Sequence, residues 1–277
     1  MRIGLVQFSP VAGKTVRNIK QVDRILRESA VGQLDMLVLP EMAFSGYYFA
    51  SAQDIEPYLE PTSSGHSTLW AQRVAKQLRC FVTVGYPERT TTSPVRRYSS
   101  CVVVSDTGEV VANYRKSSLY FQDETWAEEG EGFFAGEMQK LGQVAIGICM
   151  DLNPYQFRAA WSEFEFARHV VRHKARLVLM PLAWVTVQDP AEFDKGAGDP
   201  DKATLDYWIR RFEPVAGGNG IHGGEETVVV LANRCGREAD NLYAGTSCVL
   251  GFGGGEPHIY AVASRSSVGL VVADTSP

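Results

Sequence analysis

The sequence predicts an α/β protein in which helices cover two β-sheets, and three observations carry that expectation. Short apolar runs alternate with amphipathic stretches from one end of the chain to the other. The alternation falls into two halves with the same grammar, each rich in βαβ units. No Pro/Ser-rich linker or shift in composition separates the halves, so the 277 residues read as a single domain, 1–277.

In the first half, residues 1–8 alternate as a strand, and residues 15–29 carry Val16, Ile19, Val22, Ile25 and Leu26 on one helical face. Asp35 to Leu39 forms a buried strand stopped by Pro40, a second helix spans Leu69 to Leu78, and Cys80 to Gly85 returns as a strand. Tyr98–Val104 and Val110–Tyr114 flank Asp106-Thr107-Gly108, a hairpin signal because glycine reaches the positive φ of a tight turn. The second half runs strand 144–148, helix 155–174, strand 177–180, helix 201–212 and strand 228–231. Strands at 247–251, 259–263 and 269–272 close the chain. Leu37-Val38-Leu39-Pro40 and Leu177-Val178-Leu179-Met180-Pro181 are alike, each a buried strand that should end at its proline.

A 45% hydrophobic composition supplies a sizeable core, and a net charge of −5 without long runs of either sign suggests neither nucleic acid nor a membrane surface as partner. No apolar run approaches the ~18 residues read as a membrane span. Met1 leads straight into a strand instead of a signal sequence, which points to a cytoplasmic protein. Cys80, Cys101, Cys149, Cys235 and Cys248 are odd in number and widely spaced, so a reducing compartment is expected and no CxxC metal motif is visible. The five histidines likewise show no ligand pattern, and neither a metal nor an organic cofactor is expected.

Three residues stand where buried strands give way to turns. Cys149 ends the run Val144-Ala145-Ile146-Gly147-Ile148, where exposed backbone N–H groups favour a thiolate. Glu41 follows Leu39-Pro40 among apolar neighbours, which should raise its pKa toward that of a general base. Lys116 follows Tyr114-Arg115. Singly, each has an ordinary reading: a buried structural thiol, a helix-start carboxylate, a solvated lysine.

Jointly, Pro40-Glu41, Tyr114-Arg115-Lys116 and Gly147-Ile148-Cys149-Met150-Asp151 occur in the order of a Glu, Lys, Cys triad. With Gln7, Asn233-Arg234 and the Gly245–Ser247 segment, the chain resembles the nitrilase superfamily of carbon-nitrogen hydrolases along nearly its whole length. That resemblance implies a four-layer α-β-β-α sandwich and a cysteine-dependent amidohydrolase with Cys149 as nucleophile, Glu41 as base and Lys116 as oxyanion donor. It also implies a second catalytic glutamate at Glu124, eight residues past Lys116, and the homodimerisation that superfamily relatives often show.

The segments Cys149–Phe157, Met180–Trp184, Tyr207–Phe212 and Leu231–Gly236 look closer still to the fungal-type protein N-terminal amidases. These deamidate N-terminal Asn and Gln of proteins and peptides in the N-degron pathway. The fungal members carry an extended insertion in the region of residues 185–225, where this chain has a shorter, glycine-rich 217–224. On this reading a substrate α-ammonium needs an acidic partner, for which Asp151 is the candidate, with Met150 beside it, and Glu124 the reserve; the other reading of Asp151 is a cap for the segment that follows. Phe44 and Trp184 are expected to line the amide pocket, and Tyr207 and Trp208 its entrance. The alternatives are a small-molecule ω-amidase or carbamoyl amidohydrolase with the same triad, and a binding module that kept the fold without activity.

Overall fold

The computed structural model describes residues 1–29, 31–216, 226–253 and 255–276, so the glycine-rich stretch 217–224 lies outside the described residues. The first half holds strands β1 (Arg2–Gln7), β2 (Met36–Val38), β3 (Glu60–Pro61), β4 (Phe81–Arg89), β5 (Arg97–Val104) and β6 (Val110–Arg115). Its helices are α1 (Thr15–Glu28), α2 (Ala52–Ile55) and α3 (His66–Leu78). The second half holds β7 (Phe134–Met138), β8 (Gly142–Ile146), β9 (Leu177–Leu182), β10 (Thr227–Asn233), β11 (Cys235–Glu238), β12 (Asn241–Ala244), β13 (Cys248–Phe252) and β14 (His258–Val262). Helices α4 (Glu165–Arg172), α5 (Pro190–Lys195), α6 (Lys202–Arg211) and α7 (Glu213–Ala216) lie among them, and β15 (Gly269–Asp274) ends the chain.

One sheet has the order β15-β1-β2-β4-β5-β6, with β3 alongside β4; the other has the order β14-β13-β10-β9-β8-β7. Each has a parallel centre, β1-β2-β4 and β8-β9-β10, flanked by antiparallel strands. Side-chain alternation along the strands then sorts the layers. On β2, β4 and β5, Leu37, Val82, Val84, Val102 and Val104 pack with Val22 and Ile25 of α1 and Trp70 and Val74 of α3. From the same sheet, Ile3, Leu5, Met36, Val38 and Val103 face inward to join the second sheet's Ile146, Leu179 and Val230. Phe166 and Val170 of α4 and Trp208 of α6 cover the second sheet. The result is the expected four-layer α-β-β-α sandwich.

Three local expectations need correction. The helix anticipated over 155–174 is confined to α4; two short 3-10 turns, Tyr155–Phe157 and Trp161–Glu163, precede it. Gln156, Phe157 and Phe164 all take left-handed backbone conformations that interrupt a helix. Arg211 holds this stretch from outside: its guanidinium donates to the Trp161 carbonyl at 2.6 Å within the segment and to the Leu152 carbonyl at 2.7 Å in the turn before it. Pro181 does not end its strand, since β9 continues in register with β10 through Pro181 opposite Ala232. Pairing with β8 has stopped by then, at Ile146 opposite Leu179, so no neighbour on that side needs the missing N–H. Val16 is exposed, whereas Val22 and Ile25 are buried and Ile19 and Leu26 pack against that core. Among the described residues, no helix is long and apolar enough to cross a membrane, and no group of three or more His, Cys, Asp or Glu could hold a metal ion.

Candidate active site

The site lies between the sheets, at the carboxyl ends of their parallel strands, where α/β folds place ligand-binding loops. Beyond β2, Leu39 N–H donates to the Thr83 carbonyl at 2.9 Å and Ala43 N–H to the Gly85 carbonyl at 3.1 Å, tying the Glu41 loop to β4. Only glycine fits at position 85: a Cβ there would stand 2.6 Å from Glu41 Cα. Glu41 N–H crosses to the other sheet and donates to the Leu182 carbonyl at 3.3 Å. Lys116 follows β6, with its N–H on the Ser99 carbonyl at 2.8 Å. Cys149 follows β8 and begins a 3-10 turn, Cys149–Leu152, with a left-handed φ of 42°. A non-glycine residue held in that region is strained, as nucleophiles on sharp strand-to-helix turns are.

Glu41 and Lys116 are wholly buried. Lys116 Nζ donates to Glu41 Oε1 at 2.8 Å and to Asp123 Oδ2 at 2.5 Å, while Ser99 Oγ donates to the same Glu41 oxygen at 3.1 Å. Burial raises the Glu41 pKa to about 7; Lys116 opposes the rise and Asp123 adds to it. Burial pushes the Lys116 ammonium toward neutrality, but the carboxylates of Asp123 and Glu41 outweigh it, and its pKa lies above the usual lysine value. Burial, then the Glu41 charge, holds the Cys149 thiol well above its ordinary value, against the pull of Lys116 and a hydrogen bond from the Ala183 backbone. The resting nucleophile is therefore a neutral thiol beside a base that titrates near neutrality.

Asp123 was not anticipated. Glu124, expected in the site, is exposed, and its neighbour Asp123 turns inward to hold Lys116. Asp123 Oδ2 also accepts Tyr120 N–H at 3.1 Å, which closes the loop after Lys116 and sets the side chain inside it. Two adjacent acids at 123–124 were the only signal in the sequence, and one residue of register decides which faces in.

Cys149 stands in a cleft of about 390 Å³. Tyr47 and Ala183 share its floor; Tyr120, Asn153, Trp184 and Tyr207 form walls; Phe121, Phe157 and Val187 reach its mouth. Trp184 and Tyr207 thus fall where expected, with ring centroids 5.5 Å apart and the Tyr207 hydroxyl on Asn153 Oδ1 at 2.6 Å. Four other expectations fail. Asp151 is buried and already engaged: its carboxylate accepts from Ser117 and Ser118 N–H, Ile148 N–H and the Tyr114 hydroxyl at 2.7–3.0 Å. Four donors occupy the oxygens that an α-ammonium would need, so Asp151 braces the nucleophile turn instead. Met150 is buried outside this cleft, with its sulfur on the Asn153 amide. Phe44 packs edge-on against Trp70 in the helix-covered core of the first sheet. Trp208 is fully buried behind Trp184, edge to face at 5.8 Å.

The sequence had marked Asn233-Arg234 without a role. Asn233 brackets Trp184, accepting its N–H at 2.8 Å and donating to its carbonyl at 3.2 Å. Arg234 stacks 4.1 Å from the centroid of the Tyr243 ring and pairs with Glu238 Oε2 at 3.0 Å; that oxygen in turn accepts from Tyr47 N–H at 3.0 Å. The dipeptide therefore fixes two parts of the cleft.

A carbon-nitrogen hydrolase family model matches residues 2–163. A protein N-terminal amidase of Schizosaccharomyces pombe is 33% identical over 291 aligned residues, covering 99% of each chain. The protein N-terminal amidase of Saccharomyces cerevisiae is 31% identical over 67% of this chain and 45% of its own length. A crystal structure of an N-terminal amidase superposes with a TM-score of 0.86 at 22% identity, covering 98% of this chain and 96% of that one. A structure of an N-terminal amidase with a Gln-Gly peptide gives a TM-score of 0.84 at the same identity and coverage.

Proposed function

This chain belongs to the carbon-nitrogen hydrolase family, and from that premise we propose that it is a protein N-terminal amidase, converting N-terminal Asn and Gln to Asp and Glu with release of ammonia. The observation that carries the chemistry is the buried Glu41–Lys116–Asp123 unit, whose charges act on Cys149 at the floor of an open cleft. Glu41 Oε2 has no hydrogen-bond partner among the described residues and is the oxygen free to take a proton.

In the proposed cycle the Cys149 sulfur attacks the side-chain carboxamide carbon as its proton passes to Glu41. The oxyanion that forms takes a hydrogen bond from Lys116, whose other two N–H donors are held by Glu41 and Asp123. Collapse expels ammonia with the proton returned by Glu41 and leaves a thioester. Water, deprotonated by Glu41, adds to that carbonyl, and the thiol departs with the proton. Each carboxylate and ammonium is already in place, so little reorganisation accompanies the barrier.

Apart from the Glu41 unit behind Cys149, none of the described residues that form the floor, walls and mouth of the cleft is acidic. We place the substrate's α-ammonium against the aromatic wall of Trp184, Tyr207 and Tyr120, where a cation–π contact is worth about 2 kcal/mol when desolvated. An acetylated amine has no such charge. Ammonia release from Asn-Gly, acetyl-Asn-Gly and free asparagine tests the reading: Asn-Gly should exceed its acetylated form at least about tenfold in kcat/KM. Equal rates on the two peptides would reject recognition of a free N-terminus, and preference for free asparagine would mark a small-molecule ω-amidase.

A further inference from the structure

The amidase reading assigns the floor and walls of the cleft and leaves its mouth unused. Burial is graded along the cleft: Cys149, Tyr47 and Ala183 are 4–8% exposed, whereas Phe121 is 63%, Phe157 50% and Val187 91% exposed. Phe121 and Phe157 lie with centroids 6.1 Å apart, and Tyr120 stands 5.2 Å from the first and 6.5 Å from the second. Phe157 is placed there at a cost, because both Gln156 and Phe157 take left-handed backbone conformations, at φ of 52° and 54°. Neither is a glycine, and strain of this kind clusters at ligand contacts. Burying Phe157 does not repay that strain, since half of its surface remains in water.

We infer that Phe121, Phe157 and Val187 form a subsite for the second residue of the substrate polypeptide, one that takes an apolar side chain. The inference rests on the amidase reading. With the carboxamide at Cys149 and the α-ammonium between the walls, the substrate's first peptide bond points outward. The side chain of residue two then meets these three groups. A leucine there removes apolar surface from water on both partners, whereas a serine removes little. The chemistry of residue one is untouched, so the effect belongs to kcat/KM, mainly through KM.

The experiment compares Asn-Leu-Gly with Asn-Ser-Gly by ammonia release, in the natural chain and in a Phe121→Ser/Phe157→Ser double variant. The expected result is a kcat/KM about tenfold higher for the leucine peptide, falling to within about twofold in the variant. Both phenylalanines are exposed, and an unchanged melting temperature verifies that the variant is folded. Equal rates on the two peptides in the natural chain overturn the subsite while leaving the amidase reading intact. A tenfold preference that survives in the variant overturns its assignment to these residues. No ammonia from any peptide overturns the amidase reading, and the subsite with it.

Discussion

Glu41 meets two demands that pull in opposite directions. As a base it must be ionised when substrate arrives, yet its burial favours the acid, and the balance with Lys116 leaves it at about 7. The acid limb of kcat/KM should therefore have an apparent midpoint near pH 7, a property of the coupled Glu41–Lys116–Cys149 unit as a whole. Because the Asp123 charge raises the Glu41 pKa, Asp123→Asn should move that midpoint to lower pH. The same variant removes one of two anions from a buried ammonium. Activity should fall about 10²-fold in kcat with KM little changed, and stability by about 3 kcal/mol in denaturant melts. An unshifted acid limb would show that Asp123 does not act on Glu41. Cys149 itself was legible in the sequence through its company: five cysteines are buried alike, and only one ends a strand in step with a glutamate and a lysine. Asp151 departs from its sequence expectation for a physical reason. A carboxylate two residues from a nucleophile can face the substrate or close its own turn, and sequence does not say which donors will surround it.

At the scale of elements, the nucleophile turn and the base loop are each held by a small set of contacts that substitution can probe. Gly85→Ala would set a Cβ 2.6 Å from Glu41 Cα and 2.8 Å from Met42 N, both backbone atoms that cannot swing aside. The loop must shift, so kcat should drop at least about tenfold and stability by about 1–3 kcal/mol. Asp151→Asn presents an amide donor to oxygens' former partners, which are all N–H or O–H groups. At least one donor is left unpaired beside Cys149, costing about 1–3 kcal/mol, read as a lower melting temperature. The parallel strands were readable because buried Val/Leu runs bounded by Gly and Pro have few other uses. The segment 155–164 was not, since its helical composition is overruled by left-handed backbone at Gln156, Phe157 and Phe164 and by Arg211, 50 residues from Trp161, which takes the Trp161 carbonyl. The ribbon of β11 and β12 is not legible in the sequence for a related reason: its residues alternate weakly, and its place depends on Glu238 gathering Arg234, Tyr243 and two backbone N–H groups.

For the whole molecule, two buried carboxyls, Asp151 and Glu41, contribute to the pH dependence of stability with the same sign. Burial raises Asp151 to about 6 and Glu41 to about 7, so the folded chain retains protons that the unfolded chain gives up at lower pH. The unfolded state then binds fewer protons across this interval. Their joint contribution to stability is greatest below the ordinary carboxylate range, declines as pH rises to about 7 and is flat above it. Chemical denaturation at pH 5 and pH 8 measures this: the Glu41→Gln/Asp151→Asn double variant should show a smaller loss between the two than the natural chain. The bond from Glu41 N–H to the Leu182 carbonyl carries one more consequence at this scale. Base and ammonium belong to one sheet and nucleophile to the other, so neither layer owns a working site. Catalysis is a contact between two half-molecules, and turnover should cease as soon as the layers part, even while each sheet keeps its own hydrogen bonds.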